Sequence, residues 1–374
     1  VYGLTATPIR KDGHQPIIFM QCGKIRFTSD AKSQMENQGF KRLLIPRFTS
    51  FRNVISDRKN YVQITQELSG DKVRNEFVME DVKAAIQKGR TPLVLTTRTA
   101  HVKVLAQMLM PFADHVIQLI GADSAKEKRL ALQKLQSIPT SESLVIVATG
   151  KYVGEGFDYP RLDTLFLTMP IAWKGNVEQY AGRLHREYEG KSEVCIYDYV
   201  DIRVPLCDSM YRKRLKGYIK AGYGKNVTSL VPDKNPQELI YEQNNYEAAF
   251  RNDLAKAKHS VVIAVPKVKF KYKPSIMSAL ANLLHDGVSV VVHVKEEGAN
   301  ETELSNAGMD VVCNKEQTLQ CAIIDKSIVW YGNINFFGYN SETNNVMRIT
   351  DYKIANEMME ILYSATENKA NETR

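Results

Sequence analysis

The sequence predicts an α/β protein in which a parallel, doubly wound sheet is followed by a second, smaller α/β unit. Three observations carry this. Short apolar, β-branched runs alternate with segments of helical spacing between residues 93 and 201. The alternation breaks at 203–225 and resumes after the polar, Pro-containing stretch "SLVPDKNPQE". Finally, 374 residues are too many for one ordinary core.

Taken in order, "LVLTT" (93–97) reads as a strand, and the next segment repeats Val104, Leu105, Met108 and Leu109 at helical spacing. "HVIQLIG" (115–121) is a strand, 124–136 a helix capped by Ser124, and "SLVIVATG" (143–150) a buried strand. "TLFLTMP" (164–170) and "EVCIYDYVD" (193–201) add two strands, with the helix "NVEQYAGRLHR" between them. Residues 203–225 carry seven Lys/Arg against one Asp and read as a basic helical connector. The second unit is expected to run helix 238–258, strand "SVVIAVP", helix "PSIMSALANLLHDG", strand "VSVVVHV", strands "QCAIID" and "SIVWYG", and a helix near 352–364.

No apolar run reaches the roughly 18 residues that a membrane span needs, and the N-terminal residues lack the layout of a secretion signal. A cytoplasmic protein is the expectation. The five cysteines are scattered and never spaced CxxC, which argues against a disulfide framework or a zinc site and for buried thiols. A formal charge of +8 and a pI near 9.0 are compatible with a polyanionic partner.

Three segments carry chemistry: "GLTATP" (3–8), "ATGKYVGEGFDYPRLD" (148–163) and "QYAGRLHR" (179–186). Arg183 and Arg186 stand three apart on one helix and so on one face, an arrangement that suits two cations aimed at one phosphate chain. The alternative is a solvated arginine face. Gly154 and Gly156 permit close backbone approach at the end of a buried strand, and Asp158 is placed to accept a ribose hydroxyl or, alternatively, to cap the turn. "GKS" (190–192) echoes a phosphate-binding loop, but the Gly required five residues before Gly190 is His185, so it reads as a turn.

In order and spacing these segments resemble motifs III, V and VI of superfamily 2 helicases and translocases, with "TPLVLTTRTAHVKVLAQML" (91–109) in the place of motif IV. The resemblance covers about residues 1–203 and implies a RecA-like fold. It makes Arg186 the arginine finger, Arg183 a phosphate or coupling residue, and Gln179, Gly154, Gly156 and Asp158 part of an ATP site. Thr97, Arg98, Thr149 and Gly150 would contact nucleic acid, although a helix cap by Thr99 explains "TTRT" as naturally. Thr5 and Thr7 would couple nucleotide state to nucleic-acid grip. The run "RKDGHQPIIFMQCG" further resembles restriction-type helicases. No other GxxxxGK[ST] and no DExx box precede motif III, so ATP and Mg²⁺ would need a first motor domain outside these residues, and the chain alone is expected to be inactive. The implied partner is DNA, single-stranded in the motor cleft, with RNA as the alternative; no membrane is implied.

"TLQCAIIDKSIVWYGNINFFG" (318–338) resembles the second half of a phospholipase D-like domain, whose HxKxxxxD signature precedes a G-S-x-N turn. Thr318 stands at the His position, Gln320 at the Lys position and Asn333 at the Ser position; Asp325 and Asn335 are retained. A Thr-Gln pair cannot replace the nucleophile and its cation, so the domain is expected to be non-catalytic, with a role in dimerisation or nucleic-acid binding. Along "KVKFKYK", Lys267, Lys269, Lys271 and Lys273 would share one face of an extended chain, tracking phosphates or keeping an edge strand soluble.

The resulting division is 1–15, remnant of a first motor domain; 16–203, second RecA-like domain; 204–236, connector; 237–365, phospholipase D-like domain; 366–374, polar tail. The reading is the C-terminal part of an ATP-dependent helicase or translocase. Its rivals are a non-catalytic DNA-binding module and a phosphodiesterase.

Overall fold

The computed structural model describes residues 15–27, 41–53, 60–122, 124–154, 157–171, 174–223, 240–269, 273–295, 298–315, 319–341 and 344–372. The expected remnant with Thr5 and Thr7 lies outside them. The first unit contains α1 (Gln15–Cys22), β1 (Lys41–Phe48), α2 (Tyr61–Gly70), α3 (Lys72–Gln87), β2 (Pro92–Thr96), α4 (Thr99–Leu109), β3 (His115–Leu119), α5 (Ala125–Ser137), β4 (Leu144–Thr149), α6 (Gly150–Gly154), β5 (Thr164–Leu167), α7 (Lys174–Leu184), β6 (Glu193–Val200) and α8 (Pro205–Lys220). The second contains β7 (Ile240–Glu242), α9 (Tyr246–Leu254), β8 (Ser260–Ala264), α10 (Pro274–His285), β9 (Ser289–Val294), α11 (Ala299–Asn306), β10 (Asp310–Cys313), β11 (Cys321–Ile324), β12 (Ile328–Gly332), β13 (Asn345–Thr350) and α12 (Tyr352–Glu372).

The first sheet is all parallel, in the order β1-β6-β5-β2-β4-β3. β2 and β4 are buried along their whole length, as strands covered by helices on both faces must be. Val94, Val145, Val147 and Phe166 pack on α3 and α4, while Leu95, Ile146, Leu165 and Ile196 face a core shared with α5, α7 and α8. α5 starts with a complete capping box between Ser124 and Glu127. β1 is an edge strand that pairs with β6, a position that tolerates the missing N–H of Pro46.

The second sheet, β10-β9-β8-β11-β12-β13-β7, is parallel over β8 to β10 and antiparallel elsewhere. α9, α10 and α11 cover one face. The other face joins the core of the first unit through α8 and α12. Among the described residues, the expected helix over 238–258 is therefore corrected to the edge strand β7 followed by α9; Ile240–Glu242 complete a sheet edge instead of starting a helix.

α8 is a core element, not a solvated connector. Its Arg214 is 1% exposed and reaches Asp198 of β6 through Nε and Nη2 at 2.9 and 2.8 Å, with Nη1 on Ile171 O at 2.8 Å. Tyr218 adds a hydroxyl bond to Asp198 at 2.5 Å. On the side toward the second sheet, Asp208 accepts from Tyr331 Oη and, at 2.6 Å, from Arg212. Tyr211 stacks on Tyr331 with centroids 5.9 Å apart, and Phe48 stands edge-on to both. Arg203 pairs with Glu357 and Glu360 of α12. Of the five cysteines, Cys195, Cys207 and Cys321 are buried, with thiols that burial pushes up to about 12, and Cys22 and Cys313 are half-buried. Among the described residues, no helix is long and apolar enough to cross a membrane.

Two outcomes follow for the α8 seam. Arg214→Ala leaves the buried Asp198 without its guanidinium partner, with Tyr218 as the remaining donor, and is expected to cost about 3–5 kcal/mol in urea unfolding. Burial pushes the Asp208 carboxyl up to about 6, against the opposing pull of Arg212. A folded-state value above the ordinary 3.8 means that the folded chain binds the proton more tightly, so this group's stabilisation is full at low pH and is lost as pH rises through about 6. Unfolding curves between about pH 4 and 6 should show that slope in the wild type and a flatter one in Asp208→Asn.

Candidate functional site

The residues singled out in the first unit fall into two groups, one at the C-terminal edge of the parallel sheet and one built around Asp158, Arg183 and Arg186. β2 and β4 are neighbours with Thr96 opposite Thr149, so Thr97 and Gly150 leave the sheet side by side at its C-terminal edge, where such sheets bind ligands. Thr97 is exposed, and Tyr61 of α2 bonds to its side chain while donating its hydroxyl to Pro170 O at 3.0 Å. Arg98, half-buried, leans on α2 with Nη1 at 3.4 Å from Val62 O and 3.5 Å from Thr65 Oγ1. Thr99 is the first residue of α4 and the cap position is Arg98, which makes no side-chain cap bond, so the capping alternative is not realised. Thr149 is buried and its Oγ1 accepts from Gly121 N at 2.9 Å. Gly150 opens α6 against Tyr180 of α7, whose hydroxyl donates to Gly150 O at 3.2 Å; an added Cβ would stand 2.5 Å from that hydroxyl.

Sequence reasoning missed the support beneath this edge. His101 bonds Thr96 Oγ1 through Nδ1 at 2.8 Å and Asn75 Oδ1 through Nε2 at 2.9 Å. Burial, with Arg74 and Arg98 nearby, pushes its pKa down to about 3, so the ring is a neutral brace.

The second group lies where β5 and β6 begin, since Asp163 meets Thr91 and Cys195 there. The expectation that "GEGFDYP" sits at the tip of β4 is corrected: α6 takes up 150–154, so the strand tip is Thr149–Gly150 and Asp158 lies beyond a helical turn. Gly154 closes α6, and Gly156 lies outside the described residues. Gln179 is exposed on α7. Arg183, one turn on, has a buried Nε with no hydrogen-bond partner. Arg186 Nε meets Asp158 Oδ1 at 3.1 Å, with both side chains about half exposed. Lys191, set aside in the sequence as a turn residue, places its ammonium between the two segments, 2.7 Å from Leu162 O and 2.8 Å from Arg186 O.

The expected single helix face for the two arginines is corrected: α7 ends at Leu184, so Arg183 is on the helix and Arg186 lies beyond it. An orphaned buried guanidinium nitrogen and a loosely held arginine each fit an anionic ligand such as a nucleotide polyphosphate. The same group offers one carboxylate, Asp158, already paired with Arg186, so it does not fit Mg²⁺.

In the second unit Thr318 lies outside the described residues. Gln320 flanks β11, its backbone oxygen accepting from Gly332 N at 3.3 Å, and its Oε1 is buried without a partner. Asn333 Oδ1 accepts from Asn345 N at 2.8 Å, and its carbonyl from Asn344 Nδ2 at 2.5 Å. Asn335 donates Nδ2 to Lys267 O and accepts from Phe337 N, both at 2.9 Å. Asp325 takes a left-handed backbone (φ 48°) in the β11–β12 turn and accepts from the amides of Lys258, His259 and Ser260 at 2.8–3.0 Å. Burial alone would raise its pKa, but these three bonds hold the carboxyl below the usual range. The four-lysine face is also corrected. Lys273 is buried and paired with Glu247 at 2.8 Å, Lys267 and Lys269 are exposed, and 270–272 lie outside the described residues.

No protein-family model matches the chain. The transcript termination protein A18 of vaccinia virus (strain Ankara) is 26% identical over 197 residues, 52% of this chain and 36% of that protein. The chain thus spans about a third of the length of the curated relatives it matches. Among solved structures, T4 UvsW is similar over 51% of this chain and 41% of its own (15% identity, TM-score 0.40). Nuc, a phospholipase D family member from Salmonella typhimurium, is similar over 34% of this chain and 91% of its own (21% identity, TM-score 0.30).

Asp325→Ala would remove the common acceptor of three backbone N–H groups, two of them open to water, and is expected to lower stability by about 1–2 kcal/mol, read as a reduced midpoint of thermal unfolding.

Proposed function

We propose that the chain is the second motor lobe of an ATP-dependent superfamily 2 helicase or translocase, followed by a phospholipase D-like domain without catalytic function. The observation that carries this is the pair of arginines on and just after α7: Arg183 has a buried Nε without a partner, and Arg186 has only a half-exposed carboxylate. A surface ion pair of that kind contributes at most about 1 kcal/mol. Arg186 can therefore leave Asp158 for a phosphate at little cost, which frees the carboxylate to accept a ribose hydroxyl. Arg183 and Arg186 would hold the phosphates, with Gln179 and Gly154 nearby.

ATP, when bound, supplies a phosphoryl group whose charge spreads over its oxygens during transfer, which is what two convergent guanidinium groups oppose. The phosphate-binding loop and the Mg²⁺-binding acid would come from another motor domain, as neither motif occurs in these residues. Thr97, Arg98, Thr149 and Gly150, at the C-terminal edge of the sheet, form the proposed contact with single-stranded DNA. A poxvirus transcript termination protein as relative agrees with a role on nucleic acid. For the C-terminal domain, Asp325 and Asn335 have their polar atoms engaged in the fold, and the positions of the nucleophile and its cation hold Thr318 and Gln320. Dimerisation or DNA binding is the role proposed for it.

In the intact polypeptide with single-stranded DNA, Arg186→Ala is expected to lower kcat for ATP hydrolysis by about a thousandfold or more. Unchanged turnover would overturn the reading; DNA binding without any response to ATP would favour the binding-module alternative.

A further inference from the structure

Lys191 belongs to none of the roles above, yet its side chain is the most densely coordinated cation in the first unit's described residues. Gly190 takes a left-handed backbone (φ 77°), and the turn it makes points the next residue back across the sheet edge. The Lys191 ammonium then lies 2.5 Å from Pro160 O, 2.7 Å from Leu162 O, 2.8 Å from Arg186 O and 3.1 Å from Leu184 O. Three N–H donors are shared among four carbonyls, and no carboxylate closes the shell.

The four carbonyls come from two segments that also meet through the buried side chains of Leu162 and Leu184 and through the exposed Asp158–Arg186 pair. Leu184 ends α7, so its carbonyl belongs to the negative, unsatisfied end of a helix, and Arg186 follows two residues on. Pro160 and Leu162 belong to the stretch that leads from Asp158 into β5. Asp158 is two residues from Pro160, and Arg186 is itself one of the four ligands. Burial holds the lysine down at about 8, although Asp163 pulls the other way. The charge is thus partly withdrawn from water and given to the carbonyls.

We propose that Lys191 is a positioning residue: a built-in cation that ties 160–162 to 184–186 and so sets the separation between Asp158 and Arg186. The inference rests on the nucleotide-facing reading of Arg186 for its functional meaning, but the tie itself does not depend on it. Four carbonyls around one monovalent charge are also the surroundings that replace the hydration shell of potassium or ammonium. An alanine at 191 would leave a cage that a free ammonium ion can fill.

The tests need no nucleotide. In the wild type, the Lys191 Nζ protons are expected to give a resolved, slowly exchanging NMR signal; protons that exchange as fast as those of surface lysines would overturn the proposal. Lys191→Met is expected to speed amide hydrogen exchange in 158–163 and 184–188 about tenfold, and to broaden or shift the Arg186 Nε–H resonance. In Lys191→Ala, ammonium chloride should restore both readouts, whereas sodium chloride at the same ionic strength should not. Wild-type protection in Lys191→Met, or equal rescue by both salts, would overturn it. Failure of Arg186→Ala to affect ATP turnover would remove the functional reading of Arg186 and leave these results untouched.

Discussion

A guanidinium withdrawn from water costs several kcal/mol unless its hydrogen bonds are met in full, and that constraint organises this molecule. Arg214 is satisfied only where β6 presents Asp198 and the end of the 168–171 segment presents the Ile171 carbonyl. Once it is satisfied, α8 is fixed on the first sheet. Earlier turns of the same helix then carry Asp208 and Tyr211 to Tyr331 and Met347 of the second sheet, with the Arg214 guanidinium 5.3 Å from the centre of the Tyr211 ring. The two units share one apolar core because one helix has a buried polar obligation toward each of them.

Much of this was legible where periodicity and burial agree. β4 reads "LVIVAT" because both of its faces are covered, and α5 announces itself by Ser124 and Glu127. β1 was not legible: "KRLLIPRF" carries three charges and a proline, which only an edge strand accommodates. α3 was missed because Arg74 and Asn75 point inward, Arg74 to Asp201 at 2.8 Å, so its polar residues do not trace a solvent face. The same effect made α8 look like a solvated connector. At the candidate site, Arg183 and Arg186 were singled out by their spacing and Asp158 by its place after a buried strand; the structure brings Asp158 to Arg186, but beyond the helix on which the spacing put both arginines. Lys191 could not, since its ligands are carbonyls that every residue possesses.

The second unit, whose 318–338 segment resembles a phospholipase D-like motif in sequence, separates chemistry from architecture. Where the family pattern calls for groups whose work is on substrate, this chain has Thr318 and Gln320. Where it calls for Asp and Asn, it keeps Asp325 and Asn335, and both have folding tasks: Asp325 tolerates a left-handed turn and ties β8 to it, while Asn335 knots the 333–340 loop to Lys267. A retained motif residue is thus no sign of retained activity when its oxygens are already engaged by backbone amides.

Gly150 and Tyr180 have a mechanical consequence. The tip of β4 and the middle of α7 meet at a single hydroxyl, with no space left for even one carbon. Close-packed interiors transmit displacement instead of absorbing it. A load on the strand tip is therefore felt one helical turn short of Arg183, and a shift of α7 is returned to the tip. Any side chain at 150 larger than hydrogen would have to displace the Tyr180 hydroxyl, which sits on the helix that carries Arg183.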